Sequence, residues 1–144
     1  MTATATIVPV TGKLMLDTIL SGKPRVFLLD DTYVYSATHD FFDDIKAKAQ
    51  GNNGSSTRGN GAEILNPITT GGVFSGDATT TIQNVPAGTF SHVAVINDDA
   101  SADGTSRILM ISNDASLGLP ITTDGRDVVI TWDTGAKKIC TTQS

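Results

Sequence analysis

The closing part of this chain reads as strand, turn, strand, and that pattern constrains the fold more than any other feature. Residues 90–96, Phe-Ser-His-Val-Ala-Val-Ile, are followed by the apolar run 107–111. Then come Leu119-Pro120-Ile121-Thr122, the turn Asp124-Gly125 and the run 127–133, Asp-Val-Val-Ile-Thr-Trp-Asp. Short β-branched and apolar runs punctuated by Asp, Gly, Asn and Ser specify antiparallel sheet with surface turns. Glu occurs once, at Glu63, against fourteen Asp. That imbalance disfavours long solvent-facing helices and favours turns, where Asp bonds to its own backbone.

Earlier segments extend the same reading. The run 25–30, Arg-Val-Phe-Leu-Leu-Asp, is apolar at successive positions, so it has no wet face and belongs inside the sheet. Residues 62–66, 72–74 and 79–85 supply further short strands. Two short helices are expected. The first spans 12–22 between two glycines, with apolar residues at 15, 16, 19 and 20 on one stripe. The second begins after Thr38, which caps it, carries Asp40 in its first turn, and closes Phe41, Phe42 and Ile45 over one edge of the core. The expected architecture is a mainly β, antiparallel, jelly-roll-like β-sandwich with one or two short helices.

Residues 1–10, where Thr and Ala alternate before Ile7-Val8-Pro9-Val10, form an extended arm ahead of a single domain at 11–144. The arm is expected to lie on a neighbouring subunit, with Ile7, Val8 and Val10 as the contacts. Residues 49–61 are rich in Gly, Asn and Ser and are expected to be a mobile surface loop.

Candidate chemistry is sparse. His39 lies near Asp40, Asp43 and Asp44, a grouping that suits a metal site or an acid–base pair but reads better as structural. His92 shares a strand face with Ala94 and Ile96, which makes it partly buried or a subunit contact. The segment 97–104 is acidic but lacks the ligand spacing of a helix-flanked calcium loop, so it reads as a hairpin loop turning at Asp103-Gly104. Cys140 is the one cysteine, which excludes an intrachain disulfide and fits a reducing cytoplasm. Trp132 belongs to the core, with glycan stacking as the alternative, alongside Tyr33 and Tyr35. No nucleophile elbow, phosphate loop or dinucleotide turn is present. The expectation is therefore a protein that is not an enzyme and has no cofactor and no metal. The net charge of −5 without a basic stripe argues against nucleic acid. No segment approaches the ~20 apolar residues that span a bilayer, and the N-terminus lacks a signal-peptide pattern.

Two blocks carry a family resemblance. The opening Lys13-Leu14, the strand 26–29 and Ala37-Thr38-His39-Asp40-Phe41 form one. Residues 118–122 with Gly125, Asp127, Val128, Ile130, Trp132-Asp133, Gly135 and Lys138-Ile139 form the other. Together they resemble a family of tailed-bacteriophage virion structural proteins, small β-rich components of the head or the neck and tail. The resemblance implies a structural role, assembly in the host cytoplasm and residence in the virion. The leading expectation is a capsid decoration (cement) protein, self-associated as a trimer or other symmetric homo-oligomer on the major capsid protein. A neck, tail-tip or fibre-adaptor protein is the first alternative, and a host-glycan binding module the second.

Overall fold

A computed structural model describes residues 2–3, 5–7, 23–50, 61–70, 73–99, 102–115, 118–132 and 140–142. The strands in chain order are β1 (Thr2–Ala3), β2 (Ala5–Ile7), β3 (Lys23–Asp30), β4 (Ala62–Glu63), β5 (Ile68–Thr70) and β6 (Val73–Ser75). They continue with β7 (Thr79–Ile82), β8 (Gly88–Asp98), β9 (Arg107–Ser112), β10 (Ile121–Thr123), β11 (Val128–Trp132) and β12 (Cys140–Thr142). One α-helical turn, α1 (Phe42–Ile45), runs into a 3₁₀ turn at Lys46–Lys48.

The fold is mainly β, as expected. Its axis is β8, whose eleven residues are long enough to serve three neighbours. The whole of β3 runs antiparallel along one edge, from Lys23 opposite Asp98 to Asp30 opposite Phe90. The other edge is shared: β10 takes positions 88–90 and β9 takes 93–97. β4 completes this sheet beyond β3. A second sheet has the order β1-β11-β7, and a third the order β2-β12-β6-β5. An eight-stranded jelly roll divides into two sheets; here the strands divide into three, so only the sandwich part of the expectation carries over.

Both faces of the central sheet are closed, which explains the uninterrupted apolar run in β3. On one face Val26, Leu28, Val93, Val95 and Met110 meet Ile82, Val128, Ile130 and Trp132 of the second sheet, forming the sandwich core. On the other face Phe27, Leu29, Ala94 and Ile96 are covered by Tyr33, Phe42, Ile45 and Ala49. Val26, Phe27, Leu28 and Leu29 are all fully buried, each contributing about 1.5–3 kcal/mol of transfer free energy. Pro24 is tolerated inside β3 because its carbonyl accepts from Ile64 N on the β4 side. Its missing N–H therefore faces that short edge, and the ladder to β8 loses nothing. The β8–β9 register slips between Val95 and Ile96, leaving Leu109 as a bulge residue that turns into the sandwich core.

Several local expectations change. The antiparallel pattern has two exceptions, since β1 runs parallel to β11 and β2 parallel to β12. These strands come from opposite ends of the sequence, so no hairpin imposes an antiparallel direction. The Asp124-Gly125 turn is present, with Gly125 at φ +95°, but it crosses between sheets: β10 pairs with β8, and β11 with β7. The expected mobile loop is anchored at its ends. Ala49 bridges Leu29, and Gln50 exchanges bonds with Leu28 through both its backbone N–H and its side-chain Oε1. Gly61 packs against the Phe27 ring. Residues 51–60 lie outside the described residues, as does the helix expected at 12–22.

The helix start also moves. Thr38 does not cap it; its hydroxyl meets Ser36 Oγ at 2.8 Å instead. The cap comes from within the helix, where Asp44 Oδ2 accepts from Asp40 N at 2.9 Å and Phe41 N at 3.1 Å. These bonds hold the Asp44 carboxyl below its ordinary value of 3.8, helped by His39 nearby. A carboxylate depressed in the folded state stabilises above its unfolded pKa and loses that contribution as pH falls through the folded one. Asp44→Ala should therefore cost about 1 kcal/mol at neutral pH. In urea titrations the gap from wild type should close as the pH is taken well below 3.8.

Candidate functional site

The chain's two histidines, 53 positions apart by number (92 − 39), come together around Tyr33. Asp30 ends β3 in a tight turn, its Oδ1 accepting from Thr32 N at 2.9 Å and Thr32 Oγ1 at 2.6 Å. Tyr33 N donates to Asp30 O at 3.1 Å, which turns the tyrosine back over the sheet. There it is buried, with its hydroxyl 2.9 Å from His39 Nδ1. Its ring meets the His92 ring edge-on at 4.9 Å and 82°.

Ser91 Oγ lies 3.1 Å from Asp30 O, which can only accept, and 2.7 Å from His92 Nδ1, whose role depends on the ring tautomer. The hydroxyl carries one proton for these two contacts. The first ties β8 to the end of β3, and the second joins neighbours within β8 and sets the orientation of the imidazole.

Burial lowers the His92 pKa from its ordinary value near 6.5. The unfolded chain then binds the proton more readily, so His92 favours the fold above about 6.5 and less so as pH falls toward its folded value. Burial first, then the nearby Tyr35 and Asp44, raises the Tyr33 pKa above 10.0. That contribution is complete below 10.0 and fades as pH rises through the folded value. We predict that the urea midpoint falls between pH 7.5 and 5.5, a window about one unit either side of the unperturbed histidine value. The fall should be smaller in His92→Gln.

The remaining candidates separate. Asp43 N donates to Asp103 O at 3.4 Å, and Asp103 Oδ2 accepts from Lys46 Nζ at 3.2 Å. Asp98 Oδ2 accepts from Arg25 Nε at 2.8 Å. Asp103-Gly104 lies in the connection from β8 to β9, as expected, but Asn97 and Asp98 still belong to β8, where they pair with Pro24 and Lys23 of β3. No group of three metal-ligating side chains gathers among the described residues. Trp132 is 2% exposed and donates from Nε1 to Thr80 Oγ1 at 2.8 Å, so it is a core residue and offers no stacking face. Cys140 begins β12, opposite Ala5 and Phe74. Ile7 is opposite Thr142 of the same chain, while Val8 and Val10 lie outside the described residues. Phe42 and Ile45 close the core as expected, but Phe41 is half-buried beneath the Arg107 guanidinium at 4.8 Å.

Sequence reasoning named Tyr33 and Tyr35 as stacking surfaces but missed that Tyr33 is buried and that Val34 is displayed beside Tyr35. Immediately after the buried Tyr33, Val34 is 78% and Tyr35 62% exposed. The loop that carries them is pinned on one side by the Asp30 turn and on the other by the His39 N to Ser36 O bond of 3.1 Å. Alternation could not have found the exposed pair, because a period of two would bury Tyr35 on the same side as Tyr33, whereas Val34 and Tyr35 are both exposed. No helix among the described residues is long and apolar enough to cross a membrane. No protein-family model, no curated protein and no solved structure matches this chain.

Proposed function

We propose that this chain is a bacteriophage virion structural protein, a capsid decoration protein that binds the outer shell as a small symmetric oligomer. The observation that carries this reading is the Val34–Tyr35 pair, two large apolar side chains presented to solvent on a loop anchored by the buried Tyr33. Exposed aromatic groups on a rigid support lose little conformational entropy on docking and serve as interface anchors. Support also comes from the titratable side chains around Tyr33, which are engaged in holding loops to strands. The two blocks similar to tailed-phage virion proteins add to it.

The glycan-module alternative loses Trp132, which is interior, and keeps only Tyr35. The neck or tail-adaptor alternative shares the same docking logic and differs in location. Immunogold labelling of virions tests location: label over the head supports decoration, and label at the neck or tail overturns it in favour of the adaptor. Head shells stripped of the protein should take it up again when incubated with the wild-type chain. They should fail to take up Val34→Ser/Tyr35→Ser, which retains the wild-type far-UV spectrum. Full uptake of that variant would remove the loop from the interface.

A further inference from the structure

Val34 and Tyr35 stand in an acidic frame. Residues 30–48 hold five aspartates, at 30, 31, 40, 43 and 44, against two lysines, a local balance of −3 (2 − 5) within the chain's −5. Both lysines are engaged, Lys46 Nζ with Asp103 Oδ2 at 3.2 Å and Lys48 Nζ with Thr32 Oγ1 at 2.7 Å. Asp103 and Arg107, which meet this segment from the β8–β9 side, cancel each other and leave the balance unchanged. Asp31, Asp40, Asp43 and Asp44 are exposed, and none of their carboxylates makes an ion pair among the described residues. Asp44 is near enough for its charge to act on Tyr33, and the Tyr33 hydroxyl meets His39, the neighbour of Asp40. The buried tyrosine thus brings the 40–44 acids beside the displayed pair, with Asp31 on its other side.

That frame selects among occupants. A second copy docking through the same loop would set acid against acid, and like charges brought together across an interface cost several kcal/mol. Nucleic-acid phosphates and anionic headgroups meet the same repulsion. We propose that the Val34–Tyr35 loop docks into an apolar socket on a different protein, one ringed by lysine and arginine. The apolar pair is the anchor at the centre, and Asp31, Asp40 and Asp44 form the polar rim around it. Asp40 N and Phe41 N donate to the Asp44 carboxylate, so its charge is fixed in place as well as present at neutral pH. Rim charges of this kind act mainly on the rate of encounter and the choice of partner, while the buried anchor governs release.

This inference rests on the decoration reading above and adds the chemistry of the surface beneath the loop. Its test is the rate at which stripped head shells take up the full wild-type chain as NaCl is raised from about 0.01 M to about 0.15 M, where the screening length falls from about 30 Å to about 8 Å. The rate should drop about fivefold or more. Asp31→Asn/Asp40→Asn alters carboxylates that make no hydrogen bond among the described residues, and it should bind about threefold or more slowly at low salt, with a flatter salt dependence. Asp77→Asn/Asp127→Asn removes the same two charges beside β7 and β11, the sheet on the opposite face of the central one. Its amide oxygens can still accept from Asn66 and Asn84, and it should match wild type. Salt-independent uptake, or equal slowing by both pairs, overturns the basic socket and leaves decoration standing. A wild-type chain that never binds shells overturns both. Self-association in sedimentation velocity that is lost in Val34→Ser/Tyr35→Ser assigns the loop to a second copy and overturns the socket as well.

Discussion

Replacing Trp132 by alanine should lower the free energy of unfolding by about 3–5 kcal/mol, the range for emptying the site of a large buried aromatic. Trp132 is 2% exposed and lies in the sandwich core with Ile82, Val128 and Ile130. Its indole N–H also satisfies the buried Thr80 hydroxyl oxygen. Domains of this kind are stable by about 5–15 kcal/mol in total, so this one truncation removes a large share of the margin. The measurement is urea unfolding followed by far-UV circular dichroism, since the substitution deletes the chain's one tryptophan fluorophore. Trp132→Phe should recover most of the loss and leave a deficit of about 1 kcal/mol for the missing hydrogen bond. Loss of glycan binding in Trp132→Ala would consequently report unfolding, and Tyr35→Ala is the informative substitution for that alternative.

Gly61→Ala should destabilise by about 1–3 kcal/mol, the usual cost of forcing extra atoms into a packed interior. A Cβ at this position would stand about 2.4 Å from Cζ and 2.5 Å from Cε2 of Phe27. The ring cannot retreat, because Phe27 is fully buried with its centroid 4.8 Å from that of Phe42. Alanine at an exposed glycine usually stabilises by restricting the unfolded chain; here the contact reverses the sign. Phe27→Leu costs stability alone, yet it should absorb most of the Gly61→Ala penalty when the two are combined. A double-mutant cycle in urea would show this as a favourable coupling, and additivity would place the glycine's importance elsewhere.

Much of the scaffold was legible from period and punctuation. The unbroken apolar run at 26–29 required burial on two faces, and the sheet gives it two, a second sheet on one side and α1 on the other. Alternation placed His92 with Ala94 and Ile96, and Tyr33 now fills the space beside them. Distance along the chain defeated the rest. Nothing local to His39 announces that its Nδ1 will meet Tyr33, or that the Tyr33 ring will meet a histidine of β8 edge-on. Thr38 looked like a cap because its residue type is right, but Asp44 lies closer to the N–H groups and carries a charge. The Gly- and Asn-rich stretch looked loose from composition, yet Gln50 at its head supplies an amide oxygen where β3 lacks a neighbouring strand. A pairing of side chain with backbone leaves no periodic trace.

Closing the outer strands has a cost in time. β1 joins β11 and β2 joins β12, so residues 2–3 and 5–7 need partners synthesised 129 (131 − 2) to 135 (140 − 5) positions later. At about 5–20 residues per second, the opening segment emerges several seconds or more before its partners exist. Contacts of such long sequence separation also form slowly once the chain is complete. Until then the newborn polypeptide carries β1 and β2 with unmatched edges, and crowding many nascent copies together invites them to pair with the wrong sister. Slower synthesis at lower temperature, which thins that population, is the practical remedy this topology recommends.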